Sequence, residues 1–426
     1  MTHFGIFCPG ATGHLNPMCV LGRELLRRGH KVTLFGVPDV QAKVAQSGLA
    51  FWAIGSAEFP LGSLDALFAQ LGKMSGIAGT KFSVEFFKKE AEMLLQSAPL
   101  AIQQAGVEAL IVDQVTSAAG TVADWLKLPF VTVCNALLTN QEPGVPPYFT
   151  PWQYHNAGWA KLRNRVGNAL GRRLTQPVWQ VIVQQRQQWQ LPPHQSRGQA
   201  QSRLAQICQL PAIFDFPRER LPDWFHYTGP LQDPSGLEPV RFKQPAFPFE
   251  QLTEQPLIYA SLGTLQNRKD KIFHCIAEAC RDLEAQLVIS LGNSSRDASE
   301  ISLPGSPLVV SYAPQQQLIQ RSHLVITHAG LNTVLETLSA GVPLVAIPIT
   351  NEQPGVAARL DRTGAGTVVK LSQISVAKLR ATILQTLTEP TYRQNAAKVQ
   401  AAIQASGGVQ RAANIVEESI ASALSC

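Results

Sequence analysis

The residue types best suited to chemistry fall in one run, Thr327-His328-Ala329-Gly330-Leu331-Asn332-Thr333-Val334-Leu335-Glu336. An apolar strand ends at Thr327, a turn of small residues follows, and a helix reads from about Leu331 to Ala340. Gly341 stops it and Pro343 opens the next strand. A helix that begins where a strand ends presents unpaired amides at Gly330–Thr333 and the positive end of its dipole, a combination suited to an anion. His328 and the Thr333 hydroxyl add donors. Glu336 lies one turn on, on the face of Thr333, where a carboxylate can accept from two vicinal hydroxyls. The spacing fits a nucleoside diphosphate, with pyrophosphate at the turn and ribose one turn along. Ser261-Leu262-Gly263-Thr264, after another apolar run, is a second loop whose small residues let amides approach an anion. By itself it also reads as an ordinary turn.

In the first half, Gly10-Ala11-Thr12-Gly13-His14-Leu15-Asn16-Pro17 follows a strand and opens a helix, as a dinucleotide-binding turn would. The third glycine position of that fingerprint is Asn16, and the strand Lys31–Phe35 runs into Gly36-Val37-Pro38 with no acid for a ribose. A dinucleotide cofactor is therefore not expected. His14 is either a polar residue at a helix start or a proton acceptor. Asp113, 99 residues further on, ends the strand Ala109–Val112, either as a strand-end cap or as a partner for that imidazole. Both belong at the carboxyl edge of a sheet, where they can meet. A carboxylate on one ring nitrogen fixes the tautomer and stabilises the cation formed when the other takes a proton. The helix start lowers the imidazole pKa and Asp113 raises it, a balance that suits a base near neutral pH. Among the other histidines, His3, His155, His194, His226, His274 and His323 have no partner pattern and read as structural. No Asp-x-Asp occurs, and no metal is expected.

Taken together, these segments resemble the donor signature of the UDP-dependent glycosyltransferases that include plant, macrolide and carotenoid enzymes. That pattern has an aromatic before Pro-Gln, then His-x-Gly-x-Asn-Ser/Thr-x-x-Glu, Gly-Val-Pro and an acid-Gln pair. Here it is met by Tyr312, Pro314-Gln315, His328–Glu336, Gly341-Val342-Pro343 and Glu352-Gln353. The resemblance is strong over about 45 residues and extends as a domain plan to the whole chain. It implies the GT-B fold, two Rossmann-like parallel-sheet α/β domains facing a cleft. It also implies roles: Tyr312 and Ala313 framing uracil, Gln315 and Glu336 holding ribose, His328, Gly330, Asn332 and Thr333 at the phosphates. Ser261, Gly263 and Thr264 come to the β-phosphate, and Glu352 and Gln353 to the sugar hydroxyls. The family's Gly-His-x-x-Pro matches Gly13–Pro17, which implies His14 as general base, oriented by Asp113, in one inverting displacement. Two residues depart from the plant pattern: Tyr312 stands for Trp, and Glu352 for the Asp most often associated with glucose. Gly13–Pro17 with Gly22-Arg23-Glu24-Leu25 nearby also looks like bacterial carotenoid glucosyltransferases.

The elements needed to position these residues are legible as strand–helix alternation. Phe4–Cys8, Lys31–Phe35, Ala50–Ile54, Ala109–Val112 and Phe130–Cys134 read as strands, with helices over Leu15–Arg28, Val40–Gln46 and Ala118–Leu126. Continuous apolar strands alternating with helices predict a parallel sheet covered on both faces. A second alternation begins at Leu257 and continues through Gln286–Ser290, Leu308–Ser311, Leu324–Thr327, Leu344–Ile347 and Thr367–Val369. The chain reads as wholly helical after about Val376. This predicts two domains, over 1–228 and 251–395, joined by a Pro-rich linker over 229–250 and followed by terminal helices over 396–426. The resemblance implies that the first binds the acceptor, the second the donor, and that the terminal helices pack back on the first. Ligands of such sheets sit at the strands' carboxyl ends. Two helical insertions, about Phe59–Gln104 and Trp152–Gln206, carry aromatics suited to an acceptor wall, with Phe59, Phe82, Phe86 and Phe149 as candidates. Aromatics at helical spacing equally suit a core.

The length of 426 residues suits two domains or more, and 45% hydrophobic with 15% charged residues can fill their cores. No apolar run approaches the ~20 residues a membrane helix needs. The start, Met1-Thr2-His3-Phe4, lacks a basic region and reads as a strand, not a leader. Seven scattered cysteines without a Cys-x-x-Cys pair suit free thiols in a cytoplasmic protein. The net charge of +6 is partly local, since Lys161, Arg163, Arg165, Arg172 and Arg173 share a stretch without acids, flanked by Trp152, Trp159 and Trp179. Nucleic-acid binding would want a broader basic face. Contact with an anionic lipid surface and a solvated helix face both fit the 161–173 stretch. The expected activity is transfer of a hexose, glucose first, from a UDP-sugar to a lipophilic hydroxyl compound such as a phenol, flavonoid or carotenoid. The alternatives are a UDP-sugar epimerase of the same fold and a nucleotide-sugar-binding protein without turnover.

Overall fold

The computed structural model describes residues 1–74, 76–233, 247–264, 270–292, 298 and 301–425. Most of the stretch read as a linker, 234–246, lies outside them. Thirteen strands among the described residues form two wholly parallel sheets. The first contains β1 (His3–Phe7), β2 (Lys31–Gly36), β3 (Ala50–Ala53), β4 (Ala109–Asp113), β5 (Phe130–Cys134), β6 (Gln206–Cys208) and β7 (Phe225–Tyr227), in the order β3-β2-β1-β4-β5-β6-β7. The second contains β8 (Leu257–Ser261), β9 (Gln286–Ser290), β10 (Leu308–Val310), β11 (Ser322–Thr327), β12 (Leu344–Ala346) and β13 (Gly366–Val368), in the order β10-β9-β8-β11-β12-β13. Central strands such as Leu110-Ile111-Val112 and Ile258-Tyr259-Ala260 are buried on both faces, which is why they read as unbroken apolar runs.

Helices cover both faces. In the first half these are α1 (Thr12–Arg27), α2 (Gln41–Gln46), α3 (Ser63–Lys73), α4 (Gly76–Ala105), α5 (Ser117–Leu126), α6 (Gly158–Leu174) and α7 (Gln176–Gln188). In the second they are α8 (Asp270–Cys280), α9 (Gln315–Arg321), α10 (Leu331–Ser339), α11 (Gln353–Thr363), α12 (Val376–Thr388), α13 (Pro390–Ala405) and α14 (Gly408–Leu424). The helix α13 rests on α10 and α11, whereas α14 packs on α1 and β5, with Val409, Ala412, Ala413 and Val416 in the first half's core. Arg28 and His30 both bond Glu417 across that contact.

Two elements differ from the sequence reading. Residues 189–206 are not helical beyond one 3-10 turn at Arg197–Ala200, and the stretch ends in β6; β7 follows in a segment with no legible pattern. Each has three residues with polar ones among them, Gln206-Ile207-Cys208 and Phe225-His226-Tyr227, so neither shows the apolar run that marks the equally short β10 and β12.

In each sheet the strand order reverses direction between two neighbours, and the crevice at such a point is where open parallel sheets bind ligands. In the first sheet the neighbours are β1 and β4, with Phe7 in register with Val112. In the second they are β8 and β11, with Ser261 in register with Thr327. Those four strand ends lead into the four segments that carry the candidate site.

Candidate active site

At the first reversal point α1 begins at Thr12, and β4 ends on Asp113. His14 and Asp113 meet there: Nδ1 lies 2.7 Å from Asp113 Oδ2. The carboxylate is wholly buried, and donors surround it. Asn135 Nδ2 bonds the same Oδ2 at 2.7 Å and the Val115 amide bonds Oδ1 at 2.9 Å. Asn135 is itself held by Gln209 Nε2 on its Oδ1 at 3.0 Å. The side chain of His14 keeps 20% of its surface exposed, so the edge away from Asp113 faces open space. Burial pushes the His14 pKa down. The Asp113 charge and hydrogen bond, with Glu352 and Glu90 adding, outweigh that and place it above the usual histidine value. Glu90 on α4 is held up at about 7 by burial and by the charge of Asp113, against the pull of His14.

At the second reversal point the first intrahelical bond of α10 runs from the Val334 amide to the Gly330 carbonyl. The Leu331, Asn332 and Thr333 amides are thus outside the helical ladder and point toward the cavity end of β11. Ala329 enters this turn with φ +66°, a left-handed conformation costly for a residue with a Cβ. The His328 ring lies between two glycines. A Cβ on Gly263 or on Gly330 would stand 2.6 Å from its Cε1, and Gly263 also has φ +73°. Burial holds the His328 pKa down at about 4, against a hydrogen bond with the Ser261 main chain, so at neutral pH the ring is uncharged and carries a single N–H. One turn along, Gln315 Nε2 bonds Glu336 Oε2 at 2.6 Å and Thr333 Oγ1 at 3.3 Å. The Tyr259 hydroxyl reaches Gln315 Oε1 at 3.4 Å. The carboxylate and amide expected at a ribose are therefore already oriented as a pair.

Both ends open into one cavity of about 1710 Å³. Its wall includes His14, Ser261, Gly263, Thr264, Tyr312, Ala313, Gln315, His328, Gly330, Asn332, Thr333, Glu336, Glu352 and Gln353, together with Phe82, Phe86 and Phe149. Asp113 stands behind His14, off the wall. Phe59 is also off the wall: it is a core residue 3% exposed, packed edge-on to Phe86 with ring centroids 5.8 Å apart. Spacing on the insertion could not separate the ring that faces the cavity from the ring behind it. Tyr148 and Trp179 line the cavity as well; Tyr148 was not singled out from the sequence, and Trp179 was read only as a flank of the basic stretch.

Three side chains make contacts that spacing did not anticipate. Asn332 Nδ2 donates to the Gly13 carbonyl at 2.7 Å, joining the start of α10 to the start of α1 across the cleft. What Asn332 offers an anion in this arrangement is its main-chain amide; its Oδ1, buried and without a partner, is an acceptor. Glu352 Oε2 accepts the Leu137 amide at 2.7 Å, and burial raises its pKa, with that bond and His14 opposing. Gln353 Oε1 accepts the Ile349 and Thr350 amides at 2.8 and 2.9 Å, fixing the loop before α11. Asn135, the second donor on Asp113, was missed, although its place immediately after a predicted strand was an available signal. Glu90 gave none, since nothing in a long helix marks which carboxylate turns inward.

Two parallel sheets with opposed reversal points on one cavity define a GT-B glycosyltransferase architecture. The kitacinnamycin glycosyltransferase structure has this fold, with a TM-score of 0.76 at 20% identity, over 98% of this chain and 99% of that one. The chain belongs to the UDP-glucoronosyl and UDP-glucosyl transferase family, whose model matches residues 81–404, and it is a UDP-glycosyltransferase. It is 32% identical over 423 residues to the zeaxanthin glucosyltransferase of Pantoea ananas, covering 98% of this chain and 96% of that one. It is 33% identical over 425 residues to the zeaxanthin glucosyltransferase of Pseudescherichia vulneris, covering 99% and 98%.

Proposed function

We propose that the chain moves glucose from UDP-glucose to a hydroxyl of a lipophilic small molecule, with inversion and without a metal. His14 Nε2 takes the proton of the acceptor hydroxyl as that oxygen forms a bond to the anomeric carbon. The bond from that carbon to the β-phosphate oxygen breaks on the opposite side, and its electron pair leaves on UDP. Asp113 holds the His14 tautomer and balances the imidazolium. The Leu331–Thr333 amides, His328 and the 261–264 loop stabilise the charge developing on the diphosphate. Gln315 and Glu336 hold ribose, Tyr312 and Ala313 frame the base, and Glu352 and Gln353 are placed for the sugar hydroxyls.

The observation that carries this reading is the Asn332–Gly13 bond. It ties the anion-binding helix start to the residue before His14, so the leaving group and the base share one framework. The cavity also exceeds the ~300–1,000 Å³ of a single small-ligand site, as two substrates require. Its Phe82, Phe86 and Phe149 wall suits an apolar acceptor, and two relatives named zeaxanthin glucosyltransferase make a xanthophyll the first to try.

Mass-spectrometric screening of UDP-sugars against xanthophylls, phenols and flavonoids tests it. The expected result is a hexose conjugate, with UDP released only when acceptor is present. UDP bound without conjugate from any acceptor, or a changed sugar released without acceptor, would overturn it.

A further inference from the structure

The helix α6 presents three distinct sectors at 3.6 residues per turn. Ala160, Asn164 and Gly167 are buried against the 143–152 segment. A Cβ on Gly167 would stand 2.8 Å from the Trp152 ring, and one on Gly171 2.7 Å from Phe149, so this face is closely packed. The opposite face carries Trp159, Leu162, Val166 and Leu170, exposed by 58%, 62%, 62% and 57%. That is a continuous apolar stripe about three turns long, which soluble surfaces seldom present. Lys161 and Arg165 run along one flank, Arg173 lies exposed in the last turn, and Arg163 stacks over the Trp152 and Trp159 rings. From Glu142 to Asp215 the chain contains no acidic residue between them, against one lysine and seven arginines. The inner edge of α6 and its turn into α7, at Asn168, Gly171 and Thr175, lines the cavity beside Phe149 and Trp179.

We propose that α6 seats the enzyme on an anionic bilayer surface. Trp159, Leu162, Val166 and Leu170 enter the boundary between headgroups and acyl chains while the flanking cations meet lipid phosphates. Charge decides the occupant: a second copy would bring the same cations against each other, whereas an anionic surface complements them. Because the inner edge of this helix is cavity wall, an apolar acceptor dissolved in the bilayer has a short path to His14. That route rests on the lipophilic-acceptor reading; the docking itself does not.

Sedimentation of the full chain with phosphatidylcholine vesicles, with and without phosphatidylglycerol, tests the docking. Binding is expected only with phosphatidylglycerol, and salt weakens it. Each cation removed lowers the partition about fivefold, so Arg165→Gln with Arg173→Gln gives roughly 25-fold. Leu162→Gln with Val166→Gln abolishes sedimentation. Both double variants keep UDP binding and turnover of a water-soluble phenol, which shows that they fold. Wild-type chain left in the supernatant, double variants that sediment like wild type, or a stripe that instead closes a dimer would each overturn the proposal. Failure of the transferase reading shows separately, as absent conjugate with vesicle binding intact.

Discussion

The imidazole of His14 reports on its surroundings through pH. Its pKa lies above the usual 6.5 because Asp113, Glu352 and Glu90 outweigh the effect of burial. In the base role proposed for it the ring must be neutral, so turnover is expected to rise with pH through that raised value and to fall on acidification. Stability runs the other way: a raised folded-state pKa stabilises fully below about 6.5, and the contribution is lost as pH rises through the folded value. Replacing Asp113 by Asn removes the main opposing charge and leaves burial dominant. The acid limb of the pH–rate profile then moves to lower pH, and turnover falls by ~10²-fold or more as the tautomer is no longer fixed. A profile with an unmoved acid limb would show that Asp113 does not set the His14 pKa. At this scale the sequence carried most of the site, because strand ends and helix starts are marked by residue type. It did not carry Asn135, Glu90 or the bonds made by Asn332 and Glu352, which depend on how two distant segments are brought together.

At the scale of elements, the loop after β8 and the start of α10 behave as one unit through His328. Gly263→Ala places a methyl 2.6 Å from the ring carbon at a backbone angle of +73°, so the ring or the loop must move. Titration calorimetry with UDP is expected to show affinity lower by at least tenfold, about 1.4 kcal/mol, with secondary structure retained. Unchanged affinity would separate the 261–264 loop from the nucleotide. Strands that carry an unbroken apolar run were readable from the sequence, three-residue β10 and β12 among them. β6 and β7, with polar residues among their three, were not, since tertiary pairing alone defines them. Phe59, equally aromatic and equally spaced, is core because Phe86 stands in front of it.

On the scale of the whole molecule, the halves are joined by more than the cleft. Leu137, Leu138 and Phe214 of the first half share one buried cluster with Leu331, Leu335 and Leu338 of the second. A Cβ on Gly355, at the start of α11, would stand 1.9 Å from the Tyr148 carbonyl, so the two backbones touch there. Beside them Arg359, 1% exposed, donates to Asp215 Oδ1 at 2.8 Å, while Arg218 and the Tyr227 hydroxyl bond Oδ2 at 2.8 and 2.9 Å. Asp215→Asn leaves Arg359 buried without a counter-charge and Arg218 with only Glu142, 4.0 Å away. Denaturant unfolding is expected to lose about 3–5 kcal/mol; a loss under 1 kcal/mol would mean that the network does not join the halves. No helix among the described residues is long and apolar enough to cross a membrane. The most direct test of the whole arrangement is a crystal structure with UDP bound. The diphosphate oxygens are expected within hydrogen-bond distance of the Leu331–Thr333 amides and His328, with the His14 Nε2 edge turned to the sugar side of the β-phosphate. A nucleotide bound elsewhere, or a His14 ring turned away from the cavity, would contradict it.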